Sequence, residues 1–194
     1  MNPDEVRRRL QGLSESPLVD LGRIPGVDRD ALRPAAVLLA LTEIDETFHV
    51  VFTRRPDTMP EHSGEVSFPG GGAEPEDESP LQTALRETRE EIALLEEDVE
   101  VYGALVQMPT ITGYDITAFV GEFPQPYELQ PDPREIESLF LAPLSALMDP
   151  ANHRREERTW QGLTFDLHFY DFPPYTIWGA TGHIVYEFLT FLDS

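Results

Sequence analysis

Three consecutive glycines, Gly70 to Gly72, lead into an acidic loop and then into "RETREEIAL", Arg86–Leu94. On a helix, Glu87 and Glu91 fall one turn apart, with Glu90 beside them. Like charges so placed oppose the helix by about a few tenths of a kcal/mol per pair. The helix alone leaves two readings open. One is a solvated acidic flank, common in a chain this acidic. The other is a divalent-cation site, because hard cations collect several carboxylate oxygens and turn the repulsion into binding. The glycines favour the second, since backbone without a Cβ lets carbonyls and amides approach a bound group closely.

The elements that would hold these residues are legible. Ser79 is a cap, Pro80 suits the first helical position and Gln82 completes a capping box, so the spacing predicts a helix over Leu81–Leu95. Leu81, Ala84, Leu85, Thr88, Ile92 and Leu95 share its apolar face. Upstream, "PDEVRRRLQGL" reads as a short helix, and "AAVLLAL" and "FHVVFTRR" as strands joined by a polar turn. "HSGEVSFPGGG" is a short strand running into the glycines. "VEVYGALVQM", "YDITAFVGEF" and "SLFLAPL" are further strands, with a proline-rich loop before the last. "RTWQGLTFDLHFYDF" reads as a hairpin about Gln161-Gly162, and "TGHIVYEFLTFL" as a helix with Ile184, Val185, Phe188, Leu189 and Leu192 on one side. Two long helices would cover the two faces of a sheet. No linker divides residues 1–194, so one domain is expected, with an N-terminal helical extension over about 1–34.

Composition narrows the function. All 14 basic residues are Arg against 36 acids, a formal charge of −22. Such a surface repels nucleic acid and anionic membranes, so neither is an expected partner. An anionic small molecule would need metal ions or local Arg residues to reverse the field. The chain has no Cys, which removes disulfides, thiolate metal sites and a Cys nucleophile. No apolar run has membrane-spanning length, and the N-terminus has no secretory pattern, so a cytoplasmic protein is expected.

The spacing Gly72, five residues, Glu78, seven residues, then Arg86-Glu87 and Glu90-Glu91 resembles the Nudix box. Gly72, Glu78, Arg86, Glu87, Glu90, Glu91 and Leu94 match it. Thr88 stands where the box has an aliphatic residue and Ala93 where it has Gly; neither is a ligand position. The resemblance implies an α+β fold, an α/β/α sandwich with a mixed β-sheet between helices. It implies a hydrolase of nucleoside diphosphates linked to another moiety, using Mg²⁺ or Mn²⁺. Carried over by position, Glu87, Glu90 and Glu91 are the metal ligands. Glu90, Glu91 and Arg86 are the catalytic set, with Arg86 and Glu78 expected to tie loop to helix as an ion pair. The chemistry is coherent: metal ions neutralise a diphosphate and acidify the attacking water.

Upstream, "VVFTRRPDTMPEHSGEVSFPGG", Val50–Gly71, resembles a signature of the coenzyme A pyrophosphatases of this superfamily, with Pro60 and Glu65 as departures. "MPTITGYDITAFVGEF" and "IWGATGHIVYEFL" also resemble that family. The implied substrate is CoA or a derivative, cleaved to adenosine 3′,5′-bisphosphate and 4′-phosphopantetheine. Arg54, Arg55, His62, Gly64 and Gly71 are the expected substrate contacts. Only one of the two adjacent arginines is expected at the ligand, because neighbours on a strand point to opposite faces. Two rival readings remain: a Nudix enzyme for ADP-ribose or a dinucleotide, to which Pro109 points weakly, and a non-catalytic nucleotide-sensing module. Glu135 and Glu137 read as a solvated turn, with a general-base role as the alternative. Trp178 reads as core and His183 as a surface or packing residue. Monomer and homodimer both stay open.

Overall fold

The computed structural model describes residues 1–22, 27–57, 64–160 and 162–194. Helix α1, Pro3–Leu10, starts where the Asn2 side chain accepts from the Glu5 amide, and it buries Val6 and Leu10. Strands β1 (Val19–Asp20), β2 (Arg33–Ile44), β3 (Thr47–Arg54), β4 (Val66–Ser67) and β5 (Gly70–Gly72) precede helix α2, Pro80–Ile92. Strands β6 (Glu100–Pro109), β7 (Tyr114–Glu122) and β8 (Ser138–Pro143) lead to the short α3, Leu144–Leu147. Strands β9 (His153–Trp160), β10 (Leu163–Phe172) and β11 (Tyr175–Ile177) precede α4, Gly179–Asp193.

The main sheet runs β1-β6-β7-β2-β3-β4, with β5 also paired to β2 and β8 to β3. It is mixed: β1–β6 and β2–β7 are parallel, the other pairs antiparallel. β2 is its centre, and its run Leu38-Leu39-Ala40-Leu41 is buried throughout, as a strand covered on both faces requires. Leu38 and Ala40 pack with Ala84, Leu85 and Ile92 of α2. Leu39 and Leu41 pack on the other face with α1 and with Ile184, Val185, Phe188 and Leu192 of α4. The two long helices thus lie on opposite faces of an α+β sandwich. A second sheet, β11-β10-β9, packs against α4.

The structure corrects three sequence expectations. Helix α2 starts as read, with the Ser79 hydroxyl accepting from the Gln82 amide, but it ends at Ile92. Ala93 takes the left-handed conformation, φ 56°, which breaks the helix and leaves Leu95 40% exposed, off the apolar face assigned to it. Trp178 is likewise exposed rather than core. The last hairpin is longer than read, with β9 beginning at His153, and Gln161 lies outside the described residues.

Candidate metal and hydrolysis site

The glycine strand β5 lies beside α2, and the two meet at carboxylates. An added Cβ on Gly71 would stand 2.6 Å from the Glu87 carboxyl carbon, so the close approach requires glycine. The Gly70 amide donates to Glu91 Oε2 at 3.2 Å. Glu91 is only 2% exposed, and burial pushes its carboxyl up to about 8. The Gly70 amide and Arg55 oppose that rise, while Glu87 and Glu135 add to it. Burial also raises Glu87; Arg86 opposes it, and Glu90 and Glu135 reinforce it. The charge of Glu135, an exposed residue in the loop before β8, thus acts on both acids. That loop is fixed to the end of α2 by the Asp132 amide donating to the Glu91 carbonyl at 2.8 Å.

Arg86 is the organiser of the loop, but its partner is not the one expected. Its guanidinium holds Asp77 with two bonds, Nε–Oδ1 at 2.9 Å and Nη2–Oδ2 at 3.0 Å, and also donates to the Gly72 carbonyl at 3.1 Å. The Asp77 carboxyl is held far below its ordinary range by this contact. Glu78 is exposed, and its backbone amide donates to Gln82 Oε1 at 2.5 Å. The expected Arg86–Glu78 pair is thus replaced by Arg86–Asp77, because the turn aims the earlier acid inward. Arg86 also reaches Glu87 at 3.0 Å and Glu90 at 3.3 Å. Glu90 is half exposed.

Arg86 bears on whether a cation fits. The donors are of the right kind, hard oxygens that are buried at Glu91 and partly buried at Glu87, with Glu90 on the same helix. Among the described residues, however, no set of three such side chains converges closely enough to enclose an ion as they stand. The guanidinium on Glu87 and Glu90 supplies positive charge in that arrangement, and a divalent ion would have to draw Glu87 away from it.

The two arginines at the end of β3 act on different groups, as strand alternation leads one to expect. Arg54 is engaged by Asp57 at 2.6 Å and by Glu137, whose amide also donates to the Arg54 carbonyl at 2.8 Å. Arg55 is the one whose charge acts on Glu91. Gly64 has φ +68°, and a Cβ there would meet Asp57 at 2.6 Å. His62 lies outside the described residues. A cleft of about 450 Å³ opens instead at the start of α2, lined by Arg29, Asp77, Thr83, Gln107 and Asp115 among others. Arg29 there is already held by Asp115 at 3.0 Å and Asp20 at 2.8 Å, so the cleft offers a phosphate little unspent positive charge.

Sequence reasoning missed the separation of Glu135 from Glu137. Both sit in one acidic turn. The pairing of Ser138 with Arg54 across β8–β3 brings Glu137, and not Glu135, to Arg54.

Comparison with known proteins speaks to the family and the fold. The model of the NUDIX domain matches residues 31–163. The uncharacterized Nudix hydrolase NudL of Photorhabdus laumondii is 34% identical over 158 residues, covering 81% of this chain and 84% of that protein. The mitochondrial Nudix hydrolase 15 of Arabidopsis thaliana is 36% identical over 167 residues, covering 81% of this chain but only 59% of the plant protein. Among solved structures, a Caenorhabditis elegans Ap4A hydrolase binary complex superposes with a TM-score of 0.50 at 18% identity, over 57% of this chain and 80% of that one. The Nudix hydrolase RenU of Mycobacterium smegmatis gives 0.50 at 24% identity, over 58% and 71%. These two likenesses speak to the fold.

Proposed function

The chain belongs to the Nudix hydrolase family, and from that premise we propose that it cleaves the diphosphate of coenzyme A or a close derivative. Nudix hydrolases use divalent metal ions, and Mg²⁺ or Mn²⁺ is the proposed metal here. The products would be adenosine 3′,5′-bisphosphate and 4′-phosphopantetheine. The observation that carries hydrolysis at this place is the pair of desolvated carboxylates, Glu87 and Glu91, lying under a glycine strand. The choice of CoA rests on the likeness of the Val50–Gly71 stretch to the coenzyme A pyrophosphatases, and the charge of its Arg55 acts on Glu91.

Glu87, Glu90 and Glu91 would hold the ion, which when bound neutralises the diphosphate and acidifies water. The chain's own residues do the rest. Arg86 clamps the loop through Asp77 and the Gly72 carbonyl, so that Gly70 and Gly71 stay against the acids. Gly71 lets the Glu87 carboxylate lie directly against the strand. Arg55 supplies a positive charge for the substrate, with a planar fork able to hold phosphate at two oxygens. Arg54, spent on Asp57 and Glu137, positions the β3 end instead. Glu135, whose charge acts on both acids from the loop before β8, takes the proton from the attacking water. The substrate is a small nucleotide; the chain's charge disfavours nucleic acid and membrane, and among the described residues no helix is long and apolar enough to cross a membrane.

Turnover of CoA, ADP-ribose and NADH with Mg²⁺, with products identified by chromatography, tests this reading. CoA should be the fastest, and faster cleavage of ADP-ribose would overturn the CoA assignment. Arg55→Lys should raise KM for CoA while Arg54→Lys does not. If Arg55 reads the 3′-phosphate, the penalty should shrink for dephospho-CoA.

A further inference from the structure

Arg54 stands where three strands meet. It ends β3, and its backbone is paired with Val66 of β4 on one side and with Ser138 of β8 on the other. Its side chain repeats that position. One guanidinium nitrogen holds Asp57 at 2.6 Å, on the chain leaving β3, and another holds the Glu137 carboxylate, on the chain entering β8. Gly64, where the chain returns toward β4, comes so close that a Cβ would stand 3.2 Å from Arg54 Nη2. The Arg54 carbonyl also accepts from the Glu137 amide at 2.8 Å. Arg54 thus grips Glu137 by both its backbone and its side chain.

The residues before Glu137 connect this joint to α2. The Gln130 amide donates to the Ile92 carbonyl at 2.9 Å and the Asp132 amide to the Glu91 carbonyl at 2.8 Å, so the loop satisfies the last turn of the helix that carries the carboxylates. Asp132 opens a tight turn, its carbonyl accepting from the Glu135 amide at 3.0 Å and the Ile136 amide at 2.8 Å. Ile136 is 2% exposed, whereas Glu135 before it and Glu137 after it are exposed. Glu135 therefore lies on a short segment, 132–137, tied to α2 at one end and to β3 at the other. The buried Ile136 sets the depth of that segment. Rotation about Ile136 would swing Glu135 toward the carboxylates or away from them, and the grip of Arg54 on Glu137 opposes that rotation. A partly exposed ion pair contributes little to global stability. Positioning needs little, since a misplacement of about 1 Å can cost about a hundredfold in rate.

We propose that Glu137 is a positioning residue: held by Arg54, it fixes the turn that presents Glu135 to the water attacking the diphosphate. This rests on the reading of Glu135 as the base. It gives the adjacent arginines separate tasks, Arg55 at the substrate and Arg54 as the tie between the chain leaving β3 and the chain entering β8.

A double-mutant cycle tests it, with Glu135→Gln, Glu137→Gln and the pair measured at saturating Mg²⁺ on whichever of CoA, ADP-ribose and NADH the wild type cleaves fastest. Glu135→Gln should lower kcat by at least about a hundredfold, as loss of a general base does. Glu137→Gln should lower kcat about tenfold and leave KM within about twofold, because the substrate is held elsewhere. In the Glu135→Gln background, Glu137→Gln should cost nothing further. Equal penalties in the two backgrounds would make Glu137 merely structural and overturn the proposal. A raised KM, or a Glu137→Gln enzyme at the wild-type rate, would overturn it too. A wild-type rate in Glu135→Gln removes the base itself and the positioning with it; that variant is read alone, so the two failures are distinct. The cycle compares variants on one nucleotide, so a failure of the CoA reading leaves it intact. Thermal unfolding checks that Glu137→Gln is folded. If it is not, Arg54→Lys, which keeps the charge and loses the fork, cuts the same tie, and its loss in kcat should likewise vanish in the Glu135→Gln background.

Discussion

Two regions of this molecule bury ionisable side chains, and they answer burial in opposite ways. Under β5, Glu87 and Glu91 are pushed toward their protonated forms. Between β9, β10 and α4, three histidines gather: His153 Nε2 lies 3.0 Å from His168 Nδ1, and His183 packs edge-on to His168 with ring centroids 5.6 Å apart. Burial lowers all three, and His168, 5% exposed, falls to about 4. The cause is the same desolvation of a charge, which raises an acid and lowers a base. The surroundings differ. The histidines are sealed by aromatic rings, with Tyr186 stacked 3.9 Å from His168 and Tyr170 4.7 Å from His153. The charged groups facing them are few: Glu187 beside His183 at 3.3 Å, with Asp166 and Arg155 acting on His168 in opposite senses. The acids face glycine backbone, Arg55 and further acids. Neutrality completes the histidine cluster, whereas the acids are where the proposed cation would sit.

The largest effect that tests this contrast is on turnover. Glu91→Gln and Glu87→Gln should each lower kcat by at least about a hundredfold, as removal of a transition-state charge stabiliser does. Near-wild-type activity in either would dissolve the distinction between the regions. Next comes stability. The raised Glu91 contributes most below its unfolded pKa, and that contribution is lost as pH rises toward about 8. Metal-free Glu91→Gln should therefore be more stable than wild type at pH 7, by on the order of 3 kcal/mol in urea titrations. Mg²⁺ should raise the Tm of wild type more than that of the variant. For the histidines the sign reverses. Their depressed pKa gives stability that is complete above the unfolded value and lost as pH falls from about 6.5 toward about 4. His168→Gln should remove up to about 3 kcal/mol of that acid loss, read as a shallower fall in stability between those pH values. An equally steep fall in the variant would place the acid sensitivity elsewhere. The smallest effect lies at the helix end that positions Glu91. Ala93→Gly relieves a left-handed alanine and should stabilise by about 1 kcal/mol, measured by the urea midpoint, with kcat unmoved.

The contrast also separates what the sequence made legible from what it did not. The cap, the proline and the periodicity of α2 are local features, and the helix begins where they place it. The family pattern put Glu87 and Glu91 beside the glycines, where the structure has them. The end of α2 was misplaced because an alanine adopts a conformation usually left to glycine, and residue type alone does not announce that. Asp77 and Glu78 are adjacent acids, and only the path of the turn chooses between them for Arg86. The histidines are invisible in sequence for a different reason. His153 and His168 become neighbours only through strand register, and His183 joins them only once α4 folds back on β10. Nothing local marks them, whereas each feature of α2 that was read correctly is written within a few residues of itself.

The position of β2 carries a consequence for how the chain is made. This strand emerges early from the ribosome, yet its parallel neighbour β7 follows only after β5, α2 and β6. At about 5–20 residues per second, its apolar run waits on the order of several seconds for that partner. The hairpin with β3 is available at once and shields one edge, but the other stays open until Tyr114–Glu122 has been synthesised. The central strand of the finished protein is thus an open edge of the nascent one, and a stalled or truncated product ending before β7 would present it for mispairing.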